Sequence, residues 1–456
     1  MGTTDLTGRT VELLRTMIRN QCVNDGTPES GGEVRNADVI EATVAGPGVE
    51  LERYDAAPGR TSIVARLPST DPTAASLCLM GHTDVVPVSP DGWTHDPFGG
   101  ELLPGPDGTP EVWGRGAVDM LNLTSSMAVV FRDLADRGFR PRGDLIYFAV
   151  ADEEAGSAYG ARWMAEHHPE AIRADHVLTE SGGLHTGSST APRITVSVAE
   201  KGVAWRRLRV RGTPGHGSMP FRMDNALVTA AAVVQRLAEY RPPPRFHDLW
   251  RNQVEALGVP DELKARLLDP DEIDAALDEM PSAALATHLH ACSHTTFSPN
   301  MLTPGPGGRM KTNVIPDVVE VDVDVRTLPG EDGDDVTEHL RTALGPDLAD
   351  RVEITELIGD RASISRTDTA LWDALRRAIE APFPDARLSP QFTVGFTDAR
   401  VFREMGAVAY GAGLFSPAVD PADFARRFHG HDERIDVESL RLTTELWERV
   451  VLDLLR

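Results

Sequence analysis

The sequence predicts an α/β protein whose core is interrupted by an α+β lid. Three patterns carry that prediction. From 62 to about 195, short apolar runs alternate with helical stretches, as in an α/β core. Between about 204 and 361 the period changes. The stretch starting at Trp205 alternates apolar with basic residues, and Val318 to Arg326 alternates apolar with acidic ones. Period 2 suits strands with one solvent face. After 361 a helical pattern returns, so the chain re-enters its first domain. The expected division is 1–203 and 362–456 as one domain and 204–361 as the lid. A length of 456 residues suits two or more domains.

In order, an amphipathic helix is expected over 8–21. Strands follow over 62–67, 77–82, 144–151 and 176–180, with helices over 121–136 and 157–167. The stretch 241–300 holds Pro242-Pro-Pro244, Pro260 and acidic runs, which suggest helices joined by turns. A helix over 369–381 begins the return.

Composition is ordinary for a globular chain, with 41% hydrophobic and 25% charged residues. Net charge is −25 and the isoelectric point about 4.9, which argues against nucleic acid or an anionic membrane as partner. An anionic small molecule stays compatible, because local arginines outweigh a mean field. Cys22, Cys78 and Cys292 form no disulfide framework, and the odd count suggests a reducing compartment. The N-terminus lacks a basic segment followed by an apolar run, and no stretch has the length to span a bilayer. A cytoplasmic protein is the expectation.

The residues that carry chemistry stand at strand ends. Leu77-Cys-Leu-Met80 runs into His82, with Asp84 two residues on, so imidazole and carboxylate point the same way. A carboxylate on the second ring nitrogen fixes a metal-binding histidine. Asp119 follows two glycines and precedes an apolar helix, where the bland reading is an N-cap. A third strand ends in Asp152-Glu153-Glu154, and adjacent like charges on a buried strand call for a cation. Glu180 closes a fourth strand, and His429-Gly-His431-Asp-Glu433 lies near the C-terminus. In open α/β sheets ligands bind beyond the carboxyl ends of the strands. A histidine and carboxylate set without cysteine suits zinc, cobalt or manganese holding hydrolytic water.

Seven ordered motifs then resemble one family. They are Gly-His82-Thr-Asp-Val-Val-Pro-Val, Trp113-Gly-Arg-Gly-Ala-Val-Asp-Met, Ala151-Asp-Glu-Glu-Ala-Gly, Thr179-Glu-Ser-Gly-Gly, Gly215-His-Gly-Ser-Met-Pro, Thr312-Asn-Val-Ile-Pro and His429-Gly-His-Asp-Glu. Together they resemble the M20 metallopeptidases, the group of aminoacylase, succinyl-diaminopimelate desuccinylase and glutamate carboxypeptidase, over about residues 10 to 450. One departure is Leu121-Asn122, where the family has Lys-Gly after the Asp-Met pair.

The resemblance implies a zinc-peptidase-like α/β catalytic domain with an inserted lid that also makes a homodimer. It implies two divalent ions per chain, Zn2+ foremost with Co2+ or Mn2+ as alternatives. His82 and Glu180 would hold one, Glu154 and His429 the other, and Asp119 would bridge them, with metals ~3.5–4 Å apart sharing a water. Asp84 would orient His82, and Glu153 would be the general base. His216 would act on the amide oxygen from the partner subunit. Asn313, Arg326, Thr397 and Arg400 match positions that bind substrate, arginine being suited to a carboxylate. Glu at 180, where Asp goes with aminopeptidases and dipeptidases, tilts the reading toward deacylases and carboxypeptidases. The implied substrate is an N-acyl amino acid or small peptide with a free carboxylate. A dipeptidase or N-carbamoyl amidohydrolase is the nearest alternative, and a non-catalytic binding or scaffold homologue the alternative of another class.

Other motifs carry less. His288, His290, Cys292 and His294 are spaced by two and would share a face on a strand, but the composition before them is helical, which scatters such side chains. Gly305-Pro-Gly-Gly-Arg-Met-Lys-Thr lacks the Gly-Lys of a phosphate loop. His95, His167, His168, His185, His247 and His339 read as packed or solvated.

Overall fold

The computed structural model describes residues 5–456 except 107, 189, 307, 309 and 310, so part of the 305–312 segment lies outside the described residues. The chain divides into two compact units. One comprises 1–198, 365–391 and 397–456, and the other 199–364 and 392–396.

In the first unit the strands Leu145–Val150, Leu77–His82, His176–Thr179 and Val408–Gly411 lie side by side in that order, all parallel. The first three are buried on both faces, which explains why they read as continuous apolar runs. An antiparallel hairpin, Glu50–Ala57 and Arg60–Leu67, extends one edge, and Ala191–Glu200 joins the other through Gly411 and Ser197. Cys78, Met80, Ile146, Phe148 and Val177 pack on one face with Ala161, Met164, Val401 and Phe402. On the opposite face Tyr147 Oη donates to the Thr124 carbonyl at 3.1 Å. Its helix, Leu121–Asp136, is buried from Leu121 through Leu134, and the C-terminal helix Val437–Leu454 locks onto it through Trp447 Nε1, 2.9 Å from Ser126 Oγ. Parallel pairing sends the carboxyl ends of the central strands to a single edge of the sheet, which therefore collects His82, Glu153, Glu154 and Glu180.

The expected helix over 157–167 begins only at Ala161. Ser157 has φ +69°, and a Cβ on Gly160 would meet the Ala151 carbonyl, so this stretch is a tight turn under the strand end.

The second unit is built on an antiparallel sheet in which Val318–Thr327 pairs with both Arg206–Arg211 and Thr296–Pro304. Leu208, Val210, Val319, Val321, Val323 and Val325 face a core with Ala230, Val233, Val336 and Leu340 of two helices. On the other face Arg207 stands opposite Asp322 and Arg209 opposite Glu320, with ion pairs of 2.7 and 2.6 Å. The alternation in the sequence is this two-faced sheet.

Candidate metal centre

Two groups of side chains share one member. His82, Asp119 and Glu180 form the first, and Asp119, Glu154 and His429 the second, with one donor atom from each residue of a group lying within 4.8 Å of the others. His82 Nε2 lies 3.2 Å from Asp119 Oδ1 and 4.0 Å from Glu180 Oε2. His429 Nε2 lies 3.1 Å from Asp119 Oδ2 and 3.3 Å from Glu154 Oε2. Asp119 thus presents one oxygen to each group. It is not an N-cap: Met120 occupies that position, and no side chain caps the helix.

The loops that deliver these groups are tied by buried hydrogen bonds. His82 Nδ1 lies 3.0 Å from the Asp84 carbonyl and 3.5 Å from its Oδ1, so the backbone of Asp84 is the nearer partner. The Asp84 carboxylate accepts from Asn24 Nδ2 at 2.9 Å and from the Glu154 amide at 3.1 Å. Glu433 is wholly buried. It accepts from Arg115 Nη1 at 2.6 Å and from the amides of Val118 and Asp119 at 2.8 and 3.1 Å. Arg115 also donates to the Gly430 carbonyl at 3.1 Å. The C-terminal motif is thereby clamped to the Asp119 loop. His429 has φ +54°, which turns its ring to Asp119, while His431 packs edge-on against Trp93 with centroids 6.5 Å apart. Beneath the Glu153-Glu154 turn, Asp152 binds Arg60 and Asn24, and Arg60 Nε reaches Glu33 at 3.2 Å.

Asn24, Glu33, Arg60 and Arg115 were not nominated from the sequence. Only Arg115, inside a quoted motif, carried a signal there; the other three are single polar residues far along the chain from their partners.

Buried carboxylates outnumber the imidazoles here, and the electrostatics follow. Burial pushes Glu154 up to about 7, and burial together with the Glu180 carboxylate raises Glu153 well above the usual range. Burial and Asp119 do the same to Glu180. His429 is raised to about 10 by its contacts with Asp119 and Glu154. Burial opposes the charged form of His82, yet Asp119 and Asp84 outweigh it and raise the ring well above its ordinary value. Positive charge is favoured at both groups. Among the described residues Glu154 Oε1 is buried without a hydrogen bond. Imidazole and carboxylate donors with an orphaned buried oxygen fit a pair of divalent cations.

The remaining nominated residues are placed as follows. Glu153 is buried and belongs to neither group. Thr397 and Arg400 lie in the first unit and are buried, Arg400 donating to the carbonyls of Thr397 at 2.7 Å and Gly156 at 3.3 Å. The second unit holds His216, Asn313 and Arg326. His216 and Asn313 meet on a short ribbon, where the Gly217 amide donates to the Asn313 carbonyl at 2.9 Å. Arg326 Nε pairs with Asp324 at 2.7 Å, and its guanidinium lies 5.0 Å from the Phe396 ring centre.

Comparison with known proteins adds a second line. The profile of Peptidase family M20/M25/M40 matches residues 78–453. The chain is similar to the probable carboxypeptidase S-like 2 of Dictyostelium discoideum, at 27% identity over 86% of this chain and 74% of that protein. It is similar to aminoacylase-1 of Sus scrofa, at 28% identity over 93% and 90%. In fold it resembles an M20 family metallo-carboxypeptidase of Sulfolobus solfataricus, with TM-score 0.72, 16% identity and 99% of both chains covered. It also resembles the Bacillus subtilis YXEP protein, a dinuclear metal-binding peptidase, with TM-score 0.61, 14% identity and 99% of both chains covered.

Proposed function

The chain belongs to peptidase family M20/M25/M40 and is a hydrolase of amide or peptide bonds, and from that premise we propose that it cleaves N-acyl amino acids or small peptides that carry a free carboxylate. The observation that carries this reading is the pair of donor groups joined at Asp119, with Glu153 buried beside them. His82, Asp119 and Glu180 would hold one divalent ion and Asp119, Glu154 and His429 the other, zinc being the first choice. When bound, such a pair acidifies water and offsets charge developing on an amide oxygen.

The chain's own residues do the rest. Glu153 is not a metal ligand in this scheme. Its carboxylate takes the proton of the attacking water and hands it to the leaving amine nitrogen. The high proton affinity that burial gives Glu153 suits the first half of that cycle. Asp84 holds the Glu154 amide and lies against His82, so it keeps both groups in register.

His216 is assigned to the amide oxygen, supplied by the partner subunit of a homodimer. Its Nδ1 accepts from the Ser218 amide at 3.2 Å. The ring proton therefore sits on Nε2, the tautomer an oxyanion requires. Dimerisation has support in the same unit, where Met219, Phe221 and Val228 are exposed at 66, 81 and 66%. A contiguous exposed apolar patch marks an interaction surface, and Met219 and Phe221 stand two residues apart in the sequence.

The names of the relatives favour deacylation and carboxypeptidase action, as does Glu at position 180. The test is a screen of the zinc- and cobalt-loaded protein against N-acetyl, N-succinyl and N-carbamoyl amino acids and dipeptides, each with its carboxylate free and as the amide. Turnover of the acyl amino acids that is lost on amidation is the expected result. Equal turnover of the amidated forms would refute the free-carboxylate requirement.

A further inference from the structure

The second unit holds a cluster that amide hydrolysis does not use. Helices Ile273–Asp278 and Ala283–Ser293 are packed together, and Cys292, Leu289 and Ile273 are buried between their neighbours. His290 and His294 stand four residues apart at the end of the longer helix. A separation of four places them on one face, whereas a separation of two does not. The four alternating residues therefore fall into two pairs: His288 Nε2 lies 3.6 Å from Cys292 Sγ, and His290 meets His294. Their rings stack with centroids 4.3 Å apart and planes 6° from parallel. Asp274 arrives from the shorter helix, its Oδ1 3.3 Å from His294 Nε2. A donor atom from each of the three lies within 4.8 Å of the others.

The second observation concerns hydrogen bonds. His294 is 0% exposed. Among the described residues, Nε2 of both His290 and His294 is buried without a hydrogen bond. The other nitrogen of His294 is already committed. Ser293 Oγ donates to the Leu289 carbonyl at 2.8 Å, so toward His294 Nδ1, 2.9 Å away, it accepts. The His290 carbonyl, 3.3 Å from the same nitrogen, only accepts. The ring proton is therefore on Nδ1. In the neutral ring Nε2 is a lone pair directed at a carboxylate oxygen, with a second imidazole alongside. Burial lowers His294 to about 4, which keeps that ring neutral at pH 7. A backbone carbonyl on Nδ1 is the arrangement that orients metal-binding imidazoles.

We propose that Asp274, His290 and His294 form a further divalent-metal site, of the zinc class, that clamps helix Ile273–Asp278 to helix Ala283–Ser293. Two imidazoles and a carboxylate suit zinc, and after it cobalt or nickel, over magnesium or calcium, which take oxygen donors. Asp274 and His290 also line a cavity of about 270 Å³ with Asp278 and Arg241. The cavity gives water access to a remaining coordination position. Asp278 adds negative charge there and Arg241 opposes it.

The site is independent of the hydrolase reading, and the test keeps them apart. Chelated full-length protein is titrated with Zn2+, with bound metal counted by elemental analysis, for wild type, His290→Ala and Asp274→Asn. Wild type is expected to bind one Zn2+ more per chain than His290→Ala. Asp274→Asn should lose that equivalent or bind it at least tenfold more weakly. Its side chain is about half exposed (48%), so it serves where the histidine variant folds poorly. Turnover after reconstitution should match wild type in both. If the two-metal catalytic assignment is wrong, all three totals shift while the difference of one persists. Equal Zn2+ content and affinity in wild type and Asp274→Asn would overturn the site and leave an Asp274–His294 ion pair.

Discussion

Glu153 and Glu154 are adjacent in sequence but differ in what they touch. Glu154 reaches His429 and has its amide on Asp84, whereas Glu153 belongs to neither donor group. A proton carrier that is not a ligand is separable from the metals. Glu153→Ala is therefore expected to lower kcat by ~10²–10⁴, with two divalent ions per chain still found by elemental analysis. Loss of metal in proportion to activity would assign Glu153 to ligation instead. Asp84→Asn acts the other way. It weakens the acceptor of the Glu154 amide and removes a charge beside His82, so metal affinity should fall on the order of 10–100-fold, as losses behind a ligand do. Competition with a chromophoric chelator measures this. Unchanged affinity would reduce Asp84 to a scaffold residue.

At the scale of elements, the buried parallel strands were legible because a strand covered on both faces has no polar alternation, and a carboxylate at its end stands out. Residues 82, 119, 154, 180 and 429 were nominated that way or by motif, and they converge. The supports were not legible. Asn24 reaches Asp84 and Asp152 across 60 and 128 residues, and no local pattern encodes such a bond. His288, His290, Cys292 and His294 read as one set spaced by two, which a helix scatters, and the spacing of four inside that set is what brings His290 to His294. Glu331 shows the same blind spot. It accepts from the Leu328 amide at 2.9 Å and binds Thr295, with His339 at 3.3 Å and Arg245 at 3.4 Å, joining the start of one helix to a strand. Burial opposes its charge, but His339, Thr295 and the Leu328 amide outweigh it and hold the carboxyl down to about 2. A depressed carboxyl stabilises above its unfolded value, near 4.5, and that contribution drains away as pH falls toward about 2. Denaturant unfolding should show Glu331→Gln costing about 1.5–3 kcal/mol at pH 7, the worth of hydrogen bonds to a charged group. The gap to wild type should close between pH 4.5 and 2. A gap that stays constant with pH would mean that the charge of Glu331 does not matter to folding.

At the scale of the whole molecule, the decisive question is whose His216 serves a given site. Its Nε2–H tautomer equips it to stabilise an oxyanion, and its loop is exposed. His216→Ala should cut kcat with little change in metal content, because the residue acts on the transition state. That result alone does not separate action within one chain from action across a dimer. Mixing does. If the chain dimerises as proposed, His216→Ala and Glu153→Ala homodimers each lack one essential group at both sites. If His216 acts on its own chain, a heterodimer still has no complete site, since each chain carries one lesion. If it acts across the dimer, one of the two sites receives Glu153 from one chain and His216 from the other, and it is whole. Random exchange makes about half the dimers heterodimers, so recovered activity should approach about a quarter of wild type per total site. The exchange itself is followed by native mass spectrometry of differently tagged chains. Demonstrated exchange with no recovery would place His216 outside the partner's chemistry and leave the exposed apolar residues of its unit to be explained by another contact.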